Sequence, residues 1–258
     1  MSGRRGWIVP ALLLIAPAPA LANVITDWDE KAVALVQPGT VFPPPTALRT
    51  TAMLHLAMHV AANPDTSQEA AAASAAGAVL MKLVPNAAPD IQTAVTSYLE
   101  KLPDSEAKSA GVKLGQEVAA GILEMRANDG ASAADAYRPK TRPGVYIPTA
   151  ITIGWAISRV TPFAMTSPVQ FRPKPPPSLK SAEWARDYNE IKELGEKNST
   201  KRTARQTEDA RFWISVNPGM SHQLVRQIVV AKNMDTVDSA HFMALAAVAE
   251  ADAGHCAF

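Results

Sequence analysis

His55 and His59 lie four residues apart, so on a helix their imidazoles share a face and could hold a divalent metal. The residues between them are Leu56, Ala57 and Met58, with no glutamate where a zinc protease keeps its base. No third ligand accompanies the pair, which therefore reads as histidines hydrogen-bonded within a helical bundle. His255-Cys256 is a second pair, and Cys256 is the single cysteine, so it has no internal disulfide partner and no visible activating neighbourhood. Asp187, Glu190 and Glu193 recur every three residues, and paired carboxylates run acid/base chemistry when their surroundings split their pKa values. Arg186 and Lys192 interleave with them, which reads as a solvated charged face. Arg172, Lys174, Lys180, Lys201, Arg202 and Arg205 could gather around an anion, but no glycine-rich cradle accompanies them. Asn198-Ser199-Thr200 reads as loop and helix-cap chemistry, and no serine stands in G-x-S-x-G. These readings assign no catalytic, cofactor-binding or metal-ligating residue.

The elements that would position such groups are helices. The 258 residues carry a formal charge of +1, without a strongly basic patch, so nucleic acid is a poor partner. Residues 1–22 read as a secretory signal peptide: Arg4-Arg5, an apolar Trp7–Ile15, and the small-x-small Ala20-Leu21-Ala22. The expected product begins at Asn23, carries a charge of about −1 once Arg4 and Arg5 are removed, and is periplasmic or secreted. The apolar run is too short to span a membrane, and no membrane span is expected after signal cleavage.

Helices are expected over Val24–Val36 and, after a rigid Pro43-Pro44-Pro45 spacer with Thr46 as cap, over 47–62. A Thr66–Glu69 capping box should open an Ala-rich helix to Val84 whose small residues permit close packing. A helix over 89–102 carries Ile91, Val95 and Leu99 on one face. The next, capped by Asp104, has the clearest amphipathic pattern: Ala107, Gly111, Leu114, Val118, Ile122 and Met125. Beyond it come Ser181–Lys197 with Trp184, Tyr188, Ile191 and Gly195 on one face, and a Thr203/Gln206 capping box leading to Ala210, Trp213 and Ile214. A helix over 221–232 should bury Leu224, Ile228 and Ala231, and the last, capped by Thr236 or Asp235, should run over 237–253. No stretch alternates with period two, so the fold class is all-α, a helical bundle.

Between the two groups of helices runs a long Pro-rich connection, about 138–180. Long irregular connections in compact domains are functional or disordered, and disordered ones are poor in aromatics. Tyr137, Tyr146, Trp155, Phe163 and Phe171 dot this one, so rings are expected to pin it to the bundle. The stretch contains Pro143-Gly144-Val145-Tyr146, Pro148-Thr149-Ala150, Pro162-Phe163, Ser167-Pro168, Gln170-Phe171-Arg172-Pro173 and Pro175-Pro176-Pro177. Tyr188-Asn189-Glu190, Asn198-Ser199-Thr200, Arg202-Thr203, Gln206-Thr207 and Phe212-Trp213 follow in order. The run resembles the vanadium-dependent haloperoxidase-like proteins of bacteria, within the type-2 phosphatidic-acid-phosphatase superfamily. Weaker similarity extends from Asn23 to about Asp252.

The resemblance implies an all-helical fold binding vanadate or phosphate, for halide oxidation by hydrogen peroxide or phosphomonoester hydrolysis. It also implies an oxyanion cage built from KxxxxxxRP, PSGH and SRxxxxxH, in which arginines neutralise oxygens and histidine acts as nucleophile or apical ligand. None of the three motifs occurs in this sequence. Arg138, Arg142 and Arg172 precede proline, but Ala131, Asp135 and Met165 stand where the lysine belongs. Ser158-Arg159 likewise has Met165 in place of the histidine. Residues 23–258 are thus expected to be the N-terminal helical part of a haloperoxidase-like domain whose catalytic C-terminal half is absent. Such a piece would hold no cofactor of its own and be inactive alone. It would leave apolar faces on its last two helices, favouring self-association or a missing C-terminal half as partner. Two alternatives stand beside it: an enzyme half completed by a separately encoded chain, and an exported helical binding or scaffold protein.

Overall fold

The computed structural model describes residues 23–36, 44–134, 138, 140–148, 154–215 and 217–257. The expected signal segment and Tyr137 lie outside them. Regular structure among the described residues is nine α-helices and two 3-10 turns, with no strand. The helices are α1 (Val24–Val36), α2 (Pro44–Ala61), α3 (Gln68–Leu83), α4 (Ala88–Leu99), α5 (Glu106–Met125), α6 (Ala182–Gly195), α7 (Ala204–Ser215), α8 (Pro218–Ala231) and α9 (Thr236–Ala257). The all-α bundle is as the periodicity requires.

Local chemistry moves several boundaries. Pro44 and Pro45 open α2 rather than preceding it as a spacer; a first-turn proline loses no hydrogen bond, because those N–H groups have no helical acceptor. Ser67, not Thr66, caps α3 by accepting from the Ala70 N–H, and Ser105, not Asp104, caps α5 by accepting from Lys108. Asp104 instead pairs with the Lys108 ammonium at 2.7 Å. Ser181 caps α6 by accepting from the Trp184 N–H, and the capping box expected at Thr203 forms, with Thr203 and Gln206 satisfying one another's backbone N–H groups. Asp235 begins the last helix by accepting from the Asp238 N–H.

The centre of the bundle is α2 and α3. Packed on them are α4 and α5 to one side, and α1, α8 and α9 to the other. The run Ala70–Gly77 is wholly buried, and α5 lies against it through Gly111, Gly115 and Ala119. A Cβ on Gly115 would fall 2.3 Å from the Ala71 carbonyl oxygen, and one on Gly111 would fall 2.6 Å from that of Ser67. Absent side chains therefore set the α3–α5 spacing. The expected stripe on α5 is displaced accordingly, and Met125 at its end is 72% exposed. On α8 the correction is larger. Leu224, Ile228 and Ala231 face solvent, while among the described side chains of α8 it is His222 and Val229 that are buried.

The helices α6 and α7 bury nothing. Arg202, in the turn between them, donates to the carbonyls of Leu194 and Glu196 at the end of α6 and to Thr207 Oγ1 on α7. Tyr188, Ile191, Phe212, Trp213 and Ile214 remain exposed on the two helices.

Candidate functional site

The densest chemistry lies where α1, α2, α8 and α9 meet. Asp29 stands on the buried face of α1 among Ile25, Trp28, Ala32 and Val33, fully shielded from solvent. One carboxylate oxygen receives His55 Nε2 at 2.7 Å and His222 Nδ1 at 2.5 Å; the other receives the Arg226 guanidinium. Burial alone would raise the Asp29 carboxyl, but the hydrogen bonds from His222 and His55 hold it far below the ordinary carboxylate range. An ionised carboxylate only accepts, so both facing imidazole nitrogens carry hydrogen.

The two histidines then diverge. His55 is completely buried, burial pushes its pKa down, and its Nδ1 has no hydrogen-bond partner, which fits a neutral imidazole. His222 also suffers from burial, but Asp29 and then Glu250 outweigh it and raise its pKa. The Glu250 carboxylate faces His222 Nε2 at 3.4 Å, an ionic contact rather than a short hydrogen bond, and accepts from Ser221 Oγ at 2.7 Å. The rings stack with centroids 5.6 Å apart, so charging both would set like charges together. The resulting set of Asp29, Glu250, His222 and Arg226 has no net charge and ties α8 to α1 and α9, with His55 adding α2 through Asp29.

Asp29, His55 and His222 also have the composition of a metal site. Their spacing argues against it. Ligands on a tetrahedral zinc are about 3.3 Å apart, given metal–nitrogen distances of about 2.0–2.1 Å. The contacts of 2.7 and 2.5 Å belong to shared hydrogens. Arg226 already neutralises the carboxylate, and a dication would add unbalanced charge to the core. The cluster is sealed on the Asp29 side, so no substrate reaches an Asp–His dyad there. It is a clamp.

A second anchor fixes the long connection. Asp252 on α9 accepts the backbone N–H groups of Phe163, Ala164 and Met165 at 2.7, 2.8 and 2.8 Å. Arg126 donates to the carbonyls of Thr161 and Pro162 and lies under the Phe163 ring, 3.9 Å from its centroid. Asp129 bridges Arg126 and Arg49 at 2.9 and 2.7 Å. Phe163 thus pins the connection as expected, and half-buried Trp155 stacks on Arg159 at 4.2 Å. Tyr146 and Phe171 do not pin it; they are 72% and 68% exposed. Backbone hydrogen bonds to the Asp252 carboxylate, the Phe163 ring and the buried side chains of Ile157 and Val160 hold it to the bundle.

His55 and His59 share a helix but not a partner, for His59 lies beside His241. His255 is buried against Phe163 with Asp252 3.6 Å away, while Cys256 is half-exposed. Asp187 pairs with Arg186, Glu193 with Lys201 and Arg205 with Asp209, all exposed on α6, α7 and the turn between them. Arg172, Lys174 and Lys180 stay exposed on the connection. The six candidate cations do not converge on one pocket. Beside Asp252 opens an apolar groove of about 630 Å³, lined by Met165, Phe171, Pro173, Leu245, Val248 and Cys256 among others.

Asp29, His222, Arg226, Glu250 and Asp252 went unselected in the sequence. A carboxylate inside the apolar stripe of α1 was the available signal, and His222–Arg226 at i, i+4 beside Val229 was another. Their convergence is tertiary. No protein-family model, curated protein or solved structure matches this chain.

Proposed function

We propose that this chain is the non-catalytic helical part of a vanadium haloperoxidase- or acid-phosphatase-like protein, a scaffold onto which the helices carrying the oxyanion cage pack. By itself it neither oxidises halide nor hydrolyses phosphomonoesters. One observation carries the reading: the arginines with buried reach are already committed within the chain. Arg49 and Arg126 serve Asp129 and backbone carbonyls, Arg226 serves Asp29, and Arg202 serves the end of α6. An oxyanion cage needs guanidinium and backbone donors converging on an open site. These donors are spent on acceptors of their own fold.

The groove along α9 supports the scaffold role, because its apolar lining suits a packed helix. The helices it receives belong to a further stretch of polypeptide or a separate chain bearing KxxxxxxRP, PSGH and SRxxxxxH. The test has two arms. The purified chain is assayed for bromide oxidation with vanadate and hydrogen peroxide, and for hydrolysis of an aryl phosphate. Reading all three frames past the codon for Phe258 then supplies the coding sequence for co-expression. Silence from the lone chain and turnover from the pair are expected, with turnover reduced by Leu245→Glu in the groove. Vanadate-dependent turnover by the lone chain overturns the proposal, as does the absence of those motifs from the neighbouring frames.

A further inference from the structure

The imidazoles of His59 on α2 and His241 on α9 meet edge to face, with centroids 4.9 Å apart and an interplanar angle of 60°. His59 Nε2 and His241 Nδ1 are 3.5 Å apart. That is long beside the roughly 2.9–3.0 Å typical of an N–H donor to oxygen. It lies close to the roughly 3.3 Å edge of a tetrahedral site whose metal–nitrogen bonds are about 2.0–2.1 Å. The same comparison that excludes a metal from the Asp29 cluster favours one here. The inward nitrogen of His59, Nδ1, is buried without a hydrogen-bond partner, so Nε2 is the atom it presents. Burial and the neighbouring His241 both lower the His59 pKa, keeping it the neutral ligand that a metal requires.

The surroundings leave room for the rest of a coordination shell. His241 is exposed, and both rings border a cavity of about 190 Å³ that also meets Leu56, Phe163 and Ala244. Two waters fit such a space. We propose that His59 and His241 form a water-completed site for a divalent transition metal ion of the zinc, nickel or copper class, clipping α2 to α9. Imidazole nitrogens suit these ions, and copper binds tightest by the usual order of affinities. The inference does not depend on the scaffold reading above.

The experiment is calorimetric titration of the tag-free Cys256→Ser chain with Zn²⁺ and Ni²⁺, alongside His59→Ala and His241→Ala in the same background. Removing Cys256 takes the thiol out of competition, and His241 is exposed enough for its truncation to leave the fold intact, checked by circular dichroism. The expected result is one ion per chain, affinity at least tenfold lower in either alanine variant, and a metal-induced rise in Tm absent from His241→Ala. Equal affinity in His241→Ala overturns the proposal. So does an absence of binding up to about 1 mM metal, the weak end of the affinity scale, or binding abolished by His222→Gln and not by His241→Ala, which moves the ion to the buried cluster.

Discussion

Replacing Asp29 by asparagine is the sharpest test of the buried clamp, because shape is kept and only charge and hydrogen-bond polarity change. In the native protein two N–H donors meet one carboxylate oxygen and the Arg226 guanidinium meets the other. In Asp29→Asn one of those positions becomes an NH2 group facing donors. His222 and Arg226 also keep their charge with only Glu250 opposite, so the set moves from neutral to +1. Breaking a buried pair by removing one partner costs about 3–5 kcal/mol. For a chain of this size that corresponds to a fall in Tm of about 6–20 °C. Thermal and urea melts by far-ultraviolet circular dichroism near pH 6 read it directly. Adding Asp29→Asn to His222→Gln should cost less than in the wild type, because one stranded donor is already gone. A loss below about 1 kcal/mol, or full additivity, would show that the four groups are not acting as one unit.

The two histidines of that clamp should bend stability with pH in opposite senses. His222 has its folded pKa raised above 6.5, so its contribution is complete below 6.5 and is lost as pH rises through the folded value. His55 has its folded pKa lowered, so stability falls as pH drops below 6.5 toward that lower value. His222→Gln should remove the alkaline decline and His55→Gln the acidic one, measured by urea midpoints across pH 5–9. Asp252→Ala strands three backbone donors; at about 1–3 kcal/mol per unsatisfied group it should cost at least about 3 kcal/mol and speed limited proteolysis within 138–180. Unchanged cleavage would mean the connection is held elsewhere. Gly115→Ala drives a methyl against the α3 backbone and should cost about 1–3 kcal/mol or more, whereas Gly121→Ala meets nothing within 4 Å and should stabilise by up to about 1 kcal/mol in chemical melts.

The sequence by itself determined the helices and much of their punctuation. Periodicity of 3.6 is written in neighbouring residues, and Thr203 caps as its local pattern requires, because a cap reaches only three residues along the chain. The Ala-rich α3 announced close packing for the same reason: small side chains are small in any context. The tertiary structure alone decided which face each helix buries and which charges meet. Leu224 and Ile228 look like core on α8, yet His222 takes that place because Asp29 sits 193 residues earlier on the facing helix with a charge that must be matched. His55 and His59 look like a pair because they are four apart, but α8 approaches one and α9 the other. Spacing along a helix sets which side chains share a face; what that face meets depends on chain returning from far away, and there the partners of this protein's buried ions were chosen.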